Sequence, residues 1–135
     1  MTLQVGEMLS AYPKDLGDVD QAKLTKCIEE CLRCAQTCTA CADACLSEDM
    51  VAEMVKCIRS DLDCADICET TARVLSRHTG YDANMTRVVL EACAQACKAC
   101  GDECGRHTKH AHCGICAQAC RDCERACRDL LGVLG

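Results

Sequence analysis

The sequence predicts an all-α protein, an antiparallel up-down four-helix bundle with a short N-terminal helical extension. Six cysteines between Cys27 and Cys45 alternate steps of four and three residues, and residues at that spacing share one face of an α-helix. The phrase CAQxCxxC then recurs on later helical segments. The connections between the helical segments are short, which favours antiparallel neighbours.

The N-terminal extension is a short amphipathic piece at Leu3–Ala11, followed by the helix breakers Pro13 and Gly17. Asp18 comes next, and aspartate is a favourable N-cap. We therefore expect the first long helix over residues 19–46, with all six cysteines of the stripe on one face.

Three further helices complete the expected bundle. Ser47 offers an N-cap followed by acidic residues, which predicts a second helix over residues 48–78 that Gly80 can end. A third helix is expected over residues 84–106 and a fourth over residues 110–133. The polar, His-rich link between these last two helices is short, so they too should be antiparallel.

The internal repeat indicates that one kind of helix is used several times. The CAQxCxxC phrase begins at Cys34, Cys93 and Cys116, and a diverged copy begins at Cys64 in the second helix. The distances between copies are irregular, which argues against a solenoid. We expect residues 1–135 to form a single domain whose four helices face a shared axis.

Thiols fill the place of ordinary core residues, because the chain has 18 Cys but no Phe or Trp. Such Cys density usually indicates a secreted disulfide scaffold. No secretory signal is visible at the N-terminus, so we expect a cytoplasmic protein with reduced thiols. Helix neighbours four apart hold their Cβ atoms ~5–6 Å apart, whereas a disulfide needs ~3.5–4.5 Å. CxxxC pairs are thus better placed to share a metal ion.

Charge and motif content exclude several functions. The net charge of −6 makes nucleic acid or an anionic membrane an unfavourable partner. The sequence contains no run of 18 apolar residues, so we expect no membrane-spanning helix. The sequence contains neither a nucleophile–base–orienter set nor a phosphate-binding glycine loop, so we expect no enzymatic activity.

Extending each cysteine stripe predicts two different ends of the bundle. The first, which we call the apolar end, collects Leu24, Leu75, Val89, Leu90, Leu130, Leu131 and Leu134. The second, which we call the histidine end, collects Cys45, Met50, Met54, Cys104, His107, His110, His112 and Cys113. Met, His and Cys are soft or borderline metal ligands, so the histidine end is where a metal would enter. His78 lies at the apolar end, where we expect a structural role.

Monovalent copper fits a thiol-lined core best. It is soft, accepts low coordination by sulfur, and one ion per thiolate leaves 18 negative charges balanced by 18 positive ones. We therefore expect several Cu(I) ions per chain. A divalent ion at the same loading would leave the core strongly positive.

Zinc or other soft-metal buffering, as in a metallothionein, is the main alternative. Four cysteines around one zinc ion are common, but they usually come from short motifs on turns. A stripe on rigid helices instead offers overlapping thiolate pairs that can bridge successive ions. Iron–sulfur and di-iron motifs are absent. A copper-delivery chaperone would need an exposed site, and a thiol redox sensor an exposed reactive Cys beside a resolving partner.

The second helix departs from the thiol pattern. Asp61 follows Cys57 by four residues and precedes Cys64 by three, so it faces the core. Either the helix is rotated so that Asp61 reaches water or a basic side chain of the third helix, or Asp61 acts with His107 or His110 to bind incoming copper. A second apolar row on this helix either widens the core or faces another subunit; its members are Val51, Val55, Ile58 and Leu62.

Together the six-Cys helix, the CAQxCxxC copies, the four-helix layout and the histidines before Cys113 resemble the bacterial cytosolic copper storage proteins. The resemblance implies a bundle filled with Cu(I), a homotetramer, and access at the His-bearing end. Copper donor or acceptor proteins are further expected partners. The ligands that we expect are Cys27, Cys31, Cys34, Cys38, Cys41, Cys45, Cys57, Asp61, Cys64, Cys68, Cys93, Cys97, Cys100, Cys104, His107, His110, His112, Cys113, Cys116, Cys120, Cys123 and Cys127. The function implied is cytosolic storage and detoxification of copper.

Overall fold

A computed structural model describes residues 3–134, and this part of the chain contains helices and no strand. Residues 1, 2 and 135 of the expected domain lie outside the described residues. The helices are α1 (Val5–Ser10), α2 (Gln21–Leu46), α3 (Val55–Leu75), α4 (Ala83–Cys104) and α5 (Ala111–Leu131). Two short 3-10 turns, Val51–Met54 and Gly105–His107, precede α3 and follow α4.

The four long helices form a closed ring. α2 packs against α3 and α5, and α4 packs against the same two helices. Because successive long helices are joined by short connections, neighbours run in opposite directions. This confirms the antiparallel up-down four-helix bundle.

The first long helix begins at Gln21 and not at residue 19. Asp20 caps it, because its Oδ1 accepts a hydrogen bond from the Lys23 backbone N–H at 3.0 Å. The expected cap, Asp18, lies instead in the turn with Gly17, whose φ of 73° requires the left-handed region. With 26 residues, α2 is about 39 Å long.

The expectation that Ser47 caps the second helix is wrong. Ser47 ends α2, and its backbone N–H donates to the Ala44 carbonyl at 3.0 Å. The chain then turns through Val51–Met54 before α3 begins at Val55. Neighbouring helix axes lie ~8–10 Å apart, and the tight reversal across that gap uses a 3-10 turn.

The remaining boundaries differ from expectation by a few residues. α3 ends at Leu75, and Gly80 lies in the following loop with φ 69°. Asp82 caps α4, accepting from the backbone N–H of Asn84 at 3.0 Å. Helix α4 ends at Cys104, because the chain continues there as the second 3-10 turn. Helix α5 spans Ala111–Leu131.

The apolar end is less completely closed than the sequence suggests. Leu24, Leu75, Leu90 and Leu130 are buried, but Val89, Leu131 and Leu134 are half-buried. A cleft of about 760 Å³ lies there, between the segment 12–20 and the ends of the long helices. His78 lines this cleft and packs edge-on against Tyr12 at 5.2 Å.

The short helix α1 packs on the outside of α2, where Leu9 is buried. It therefore extends the bundle without entering the ring of four. Within residues 3–134, no helix combines the length and the apolar character that crossing a bilayer requires.

Candidate metal centre

All eighteen cysteines lie in the interior, and none is more than 2% exposed. They are all free thiols. Each long helix presents its stripe towards the same axis, because the three-four spacing keeps each stripe on one helix face. The core of the bundle is therefore a continuous column of sulfur.

The sulfur atoms lie close together both along and between helices. Along one helix, the Sγ atoms of Cys34 and Cys38 lie 3.7 Å apart. The Sγ atoms of two other CxxxC pairs, Cys64/Cys68 and Cys100/Cys104, lie 3.8 and 3.9 Å apart. Between helices, the Sγ atoms of Cys57 and Cys104 approach to 3.4 Å. These separations exceed the ~2.05 Å of a disulfide but suit two thiolates that bind a common metal ion.

Sets of four thiols converge at several levels of the column. In each set, all ligand atoms lie within 4.8 Å of one another. Five such sets are Cys31/Cys93/Cys123/Cys127, Cys34/Cys38/Cys64/Cys120, Cys34/Cys64/Cys68/Cys97, Cys38/Cys100/Cys116/Cys120 and Cys41/Cys45/Cys57/Cys113. Because Cys34, Cys38, Cys64 and Cys120 each belong to two sets, a single thiolate can bridge ions at successive levels.

Asp61 lies inside this column and is fully buried. Its Oδ1 is 3.1 Å from Cys100 Sγ and 3.2 Å from both Cys104 Sγ and Cys116 Sγ. The alternative in which Asp61 reaches water or a basic side chain is therefore wrong. The carboxyl group lies among thiols of α4 and α5.

Burial has a clear electrostatic effect on these groups. Desolvation, with added repulsion from Cys116 and Cys100, raises the pKa of Asp61 to about 10. Desolvation likewise raises the pKa of Cys113 to about 11 and raises that of Cys45. In the absence of metal, these groups therefore hold their protons at neutral pH.

Two other α3 side chains on the core face differ in their surroundings. Thr71 is fully buried, and its hydroxyl donates to the Ile67 carbonyl of its own helix at 2.7 Å. Met54 is buried at the histidine end, whereas Met50 is 39% exposed. The structure thus brings Met54, and not Met50, against the column.

His112 is the histidine in contact with the thiols. Its Nδ1 lies 3.3 Å from Cys41 Sγ and 3.6 Å from Cys113 Sγ. These two cysteines belong to the outermost of the five four-thiol sets. His112 therefore adds an imidazole nitrogen at the point where the column meets the histidine end.

The other two histidines contact carboxylates. His107 Nε2 lies 3.0 Å from Glu103 Oε2, one turn earlier on the same stretch of chain. His110 Nδ1 lies 3.1 Å from Glu48 Oε2, and the His110 and His112 rings stack with centroids 5.7 Å apart. The contacts of the Asp61 carboxyl group are with thiols and not with His107 or His110, so they do not support the hypothesis that Asp61 acts together with either histidine.

Sequence reasoning missed the two glutamates. Glu103 is four residues before His107, a spacing that places both on one helix face and that could have been noticed. Glu48 gave no such signal, because it is 64 residues from His112, whose Nε2 it binds at 2.8 Å. Only the meeting of the α2–α3 turn with the start of α5 brings Glu48 to the site.

Comparison with solved structures places this bundle among copper-binding proteins. It is 66% identical to the copper storage protein Ccsp from Streptomyces lividans, loaded with 10 copper equivalents, with a TM-score of 0.94 over 95% of this chain and 98% of that one. A five-copper structure of a cytosolic copper storage protein from Streptomyces lividans is 68% identical, with a TM-score of 0.83 over 84% and 96% of the two chains.

Two more distant relatives are a copper storage protein and a cysteine-rich protein. The Cu(I)-bound copper storage protein BsCsp3 is 38% identical, with a TM-score of 0.70 over 77% of this chain and 93% of that one. The uncharacterized cysteine-rich protein YhjQ of Bacillus subtilis is 39% identical over 49 residues, which are 36% of this chain and 44% of that protein. The match thus spans less than half the length of that curated relative.

The profile of the copper storage protein family matches residues 20–132, which include all four long helices and every cysteine. With the fold, the thiol column and the solved relatives in agreement, the chain belongs to the copper storage protein family.

Proposed function

We propose that the protein stores copper in the cytoplasm by binding many Cu(I) ions on the thiolates that line its bundle. The observation that carries this function is the set of overlapping four-thiol groups, formed from fully buried free cysteines. A soft monovalent ion matches such sulfur ligands. Tight binding without turnover is the behaviour expected of a store that also protects the cell from free copper.

Charge balance explains why Cu(I) suits this core. Eighteen buried thiolates without metal would concentrate negative charge where solvation is poor, so the metal-free thiols stay protonated. Each Cu(I) that binds displaces one proton, so the core stays neutral. Ccsp is known with 10 copper equivalents; at that loading 18 − 10 = 8 thiols of this chain could keep their protons.

We assign the ligand positions by their contacts. The eighteen cysteines supply the column, and Asp61 supplies an oxygen among Cys100, Cys104 and Cys116. His112 supplies a nitrogen beside Cys41 and Cys113. His107 and His110 lie outside this contact and serve the passage of copper into the column.

The role of Asp61 is testable by substitution. Asp61→Ala should lower the occupancy of copper at partial loading or slow uptake, because the variant lacks an oxygen ligand in the outer half of the column. Uptake rate and early occupancy are measured with a competing Cu(I) chelator, with Asp66→Ala, an exposed acid on the same helix, as the control. Unchanged rate and occupancy would show that Asp61 has no part in binding.

Anaerobic titration of the reduced protein with Cu(I), against a competing chelator, tests storage itself. We expect about ten or more tightly bound Cu(I) ions per chain, the loading known for Ccsp. Saturation after one or two ions would contradict storage and favour a delivery chaperone. The absence of turnover should be checked in the same samples by following oxidation of the thiols.

Zinc buffering is the second candidate, because the four-thiol sets also have the size of a tetrahedral zinc site. A parallel titration with zinc separates the two functions. We expect Cu(I) to displace zinc completely, because thiolates bind the softer monovalent ion more tightly. Retention of zinc in the presence of Cu(I) would reverse this assignment.

We further propose that the protein forms a homo-oligomer, a tetramer by resemblance to its family. Val55 is 63% exposed and Leu62 46% exposed, so the second apolar row of α3 does not serve only to widen the core. Light scattering of the Val55→Glu/Leu62→Glu variant should show smaller particles than the unaltered protein. Particles of unchanged size would place any interface elsewhere.

Two aspects of the cellular setting belong to the same proposal. The cytoplasmic location is supported by the Streptomyces lividans relative, which is a cytosolic copper storage protein. Copper donor or acceptor proteins are expected to dock at the histidine end, beside the outermost thiols. Pull-down of copper-loaded protein, with a His107→Ala/His110→Ala variant as the control, tests this docking.

A further inference from the structure

Glu48 makes a contact at the histidine end that storage by thiols does not require. A single oxygen of its carboxylate, Oε2, lies 2.8 Å from His112 Nε2 and 3.1 Å from His110 Nδ1. The residue lies in the turn after α2, and both histidines lie at the start of α5. One carboxylate thus connects two stacked imidazoles to the turn after α2.

The hydrogen bond to His112 determines which ring nitrogen carries the proton. An ionised carboxylate only accepts hydrogen bonds, so His112 Nε2 must be the donor. In the neutral ring, Nδ1 then carries no proton and has a free lone pair. This nitrogen faces Cys41 Sγ at 3.3 Å and Cys113 Sγ at 3.6 Å.

His110 shows the complementary arrangement. Its Nδ1 faces the same carboxylate oxygen, which favours the proton on that nitrogen. Its Nε2 is buried and has no hydrogen-bond partner. Buried polar atoms normally find a partner, and an unprotonated imidazole nitrogen without one is suited to receive a metal ion.

We propose that Glu48 is a positioning residue for copper uptake. It holds the His110 and His112 rings so that His110 Nε2 and His112 Nδ1 are both available to an incoming Cu(I), which then passes to the thiols of Cys41 and Cys113. The inference rests on the proposed storage function, to which it adds the residue that orients the two histidines. A carboxylate that orients a metal-binding imidazole through its other nitrogen has this effect in many metal sites.

An ordinary surface ion pair would not account for the arrangement. Such a pair has no preference for which histidine nitrogen it meets, and it contributes little to stability. Here both contacts converge on one oxygen, and in each ring the second nitrogen faces the interior. The consequence is therefore expected in the speed of metal capture and not in the stability of the fold.

The test compares Glu48→Ala with the unaltered protein, using Cu(I) delivered anaerobically from a chelator and followed by stopped-flow absorbance. We expect the first Cu(I) to bind about tenfold more slowly, the lower part of the effect typical of removing such a partner. The total number of ions bound at equilibrium should not change. Glu48→Gln, which retains a neutral acceptor, should recover part of the rate.

Asp49→Ala is the matched control, because it removes one negative charge from an exposed neighbouring position in the same turn. It should load at the rate of the unaltered protein. A second control places Glu48→Ala in a His110→Ala/His112→Ala background. There the substitution should have no further effect, because the rings that Glu48 positions are gone.

A spectroscopic measurement on metal-free protein makes the test independent of loading. The ¹⁵N shifts of the His112 ring should show a proton on Nε2 in the unaltered protein and a mixture of tautomers in Glu48→Ala. An unchanged first-ion rate, an unchanged tautomer, or an equal slowing in the background without histidines would overturn the proposal. Failure of the unaltered protein to bind many Cu(I) would instead overturn storage.

Discussion

Asp61 is a buried carboxyl group whose ionisation is unfavourable in the metal-free core. It is completely buried, and desolvation raises its pKa to about 10, from a normal value of 3.8. Between these two values the folded protein holds a proton that the unfolded chain has released. The free energy of unfolding therefore falls as pH rises from about 4 towards 10.

Asp61→Asn should remove this penalty. The amide keeps an acceptor for the surrounding thiols but does not titrate, so metal-free protein should gain about 2 to 4 kcal/mol at pH 7. Chemical denaturation of reduced protein between pH 5 and 9 measures the effect, which should grow with pH. Asp66→Asn, at an exposed position of α3, is the control and should be neutral.

A loss of stability in Asp61→Asn at pH 7 would contradict the protonated, desolvated carboxyl. It would indicate that Asp61 is ionised in the metal-free protein and stabilised by its neighbours. The same variant should bind copper less well at the level of Cys100, Cys104 and Cys116, because an amide is a weaker ligand than a carboxylate. Stability without metal and affinity for metal thus change in opposite directions.

At the scale of elements, the close approach of α4 and α5 depends on Gly101. A Cβ built there would lie 3.3 Å from Cys120 Cβ and 3.6 Å from the Ala117 carbonyl. The residue is buried between the two helices, and it sits beside the four-thiol set that contains Cys100, Cys116 and Cys120. The absence of a side chain at this position lets the two thiol stripes meet.

Gly101→Leu should destabilise the metal-free protein by about 1 to 3 kcal/mol, because the added side chain overpacks a helix interface. Gly114→Ala is the comparison at an open position, since nothing lies within 4 Å of its Cβ position in α5. That substitution should stabilise the protein by about 0.5 to 1 kcal/mol through the higher helix propensity of Ala. Thermal unfolding by circular dichroism measures both.

Stabilisation by both substitutions would show that helix propensity governs these positions. If the close approach matters, Gly101→Leu should also lower the number of copper ions bound, because the thiols of Cys100 and Cys120 would move apart. Gly114→Ala should leave that number unchanged. The two readouts together separate packing from propensity.

At the scale of the whole molecule, copper should act as part of the core. The chain has no Phe and no Trp, and thiols take the place of large apolar side chains in its core. The hydrophobic contribution of burial to the stability of the fold is therefore smaller than usual. Ions that bind the folded protein more tightly than the unfolded chain stabilise it by mass action. The melting temperature should therefore rise with each added portion of Cu(I).

Calorimetry of reduced protein at increasing Cu(I) content measures this dependence. Removal of copper by a strong chelator should restore the lower melting temperature. Lowering the pH should weaken copper binding in the same samples, because protons compete for the thiolates. A melting temperature that does not depend on loading would mean that copper binds the unfolded chain equally well.

The sequence by itself determined the helices and the faces on which the thiols lie. Helical periodicity is a local property, so the alternation of four and three from Cys27 to Cys45 is enough to place six thiols on one side of α2. The same reasoning placed Asp61 towards the core and Leu130 at the apolar end. The family could be identified from these stripes together with the CAQxCxxC copies, the four-helix layout and the histidines before Cys113.

Only the tertiary structure decided which groups meet. Each of the five sets of four thiols combines residues from three helices, and its membership depends on the axial register of the helices, which sequence spacing does not define. Likewise, Glu48 reaches His112 across 64 residues. Helix faces follow from local sequence, but the meeting of faces depends on loops and packing, and in this protein the contacts between faces form the metal site.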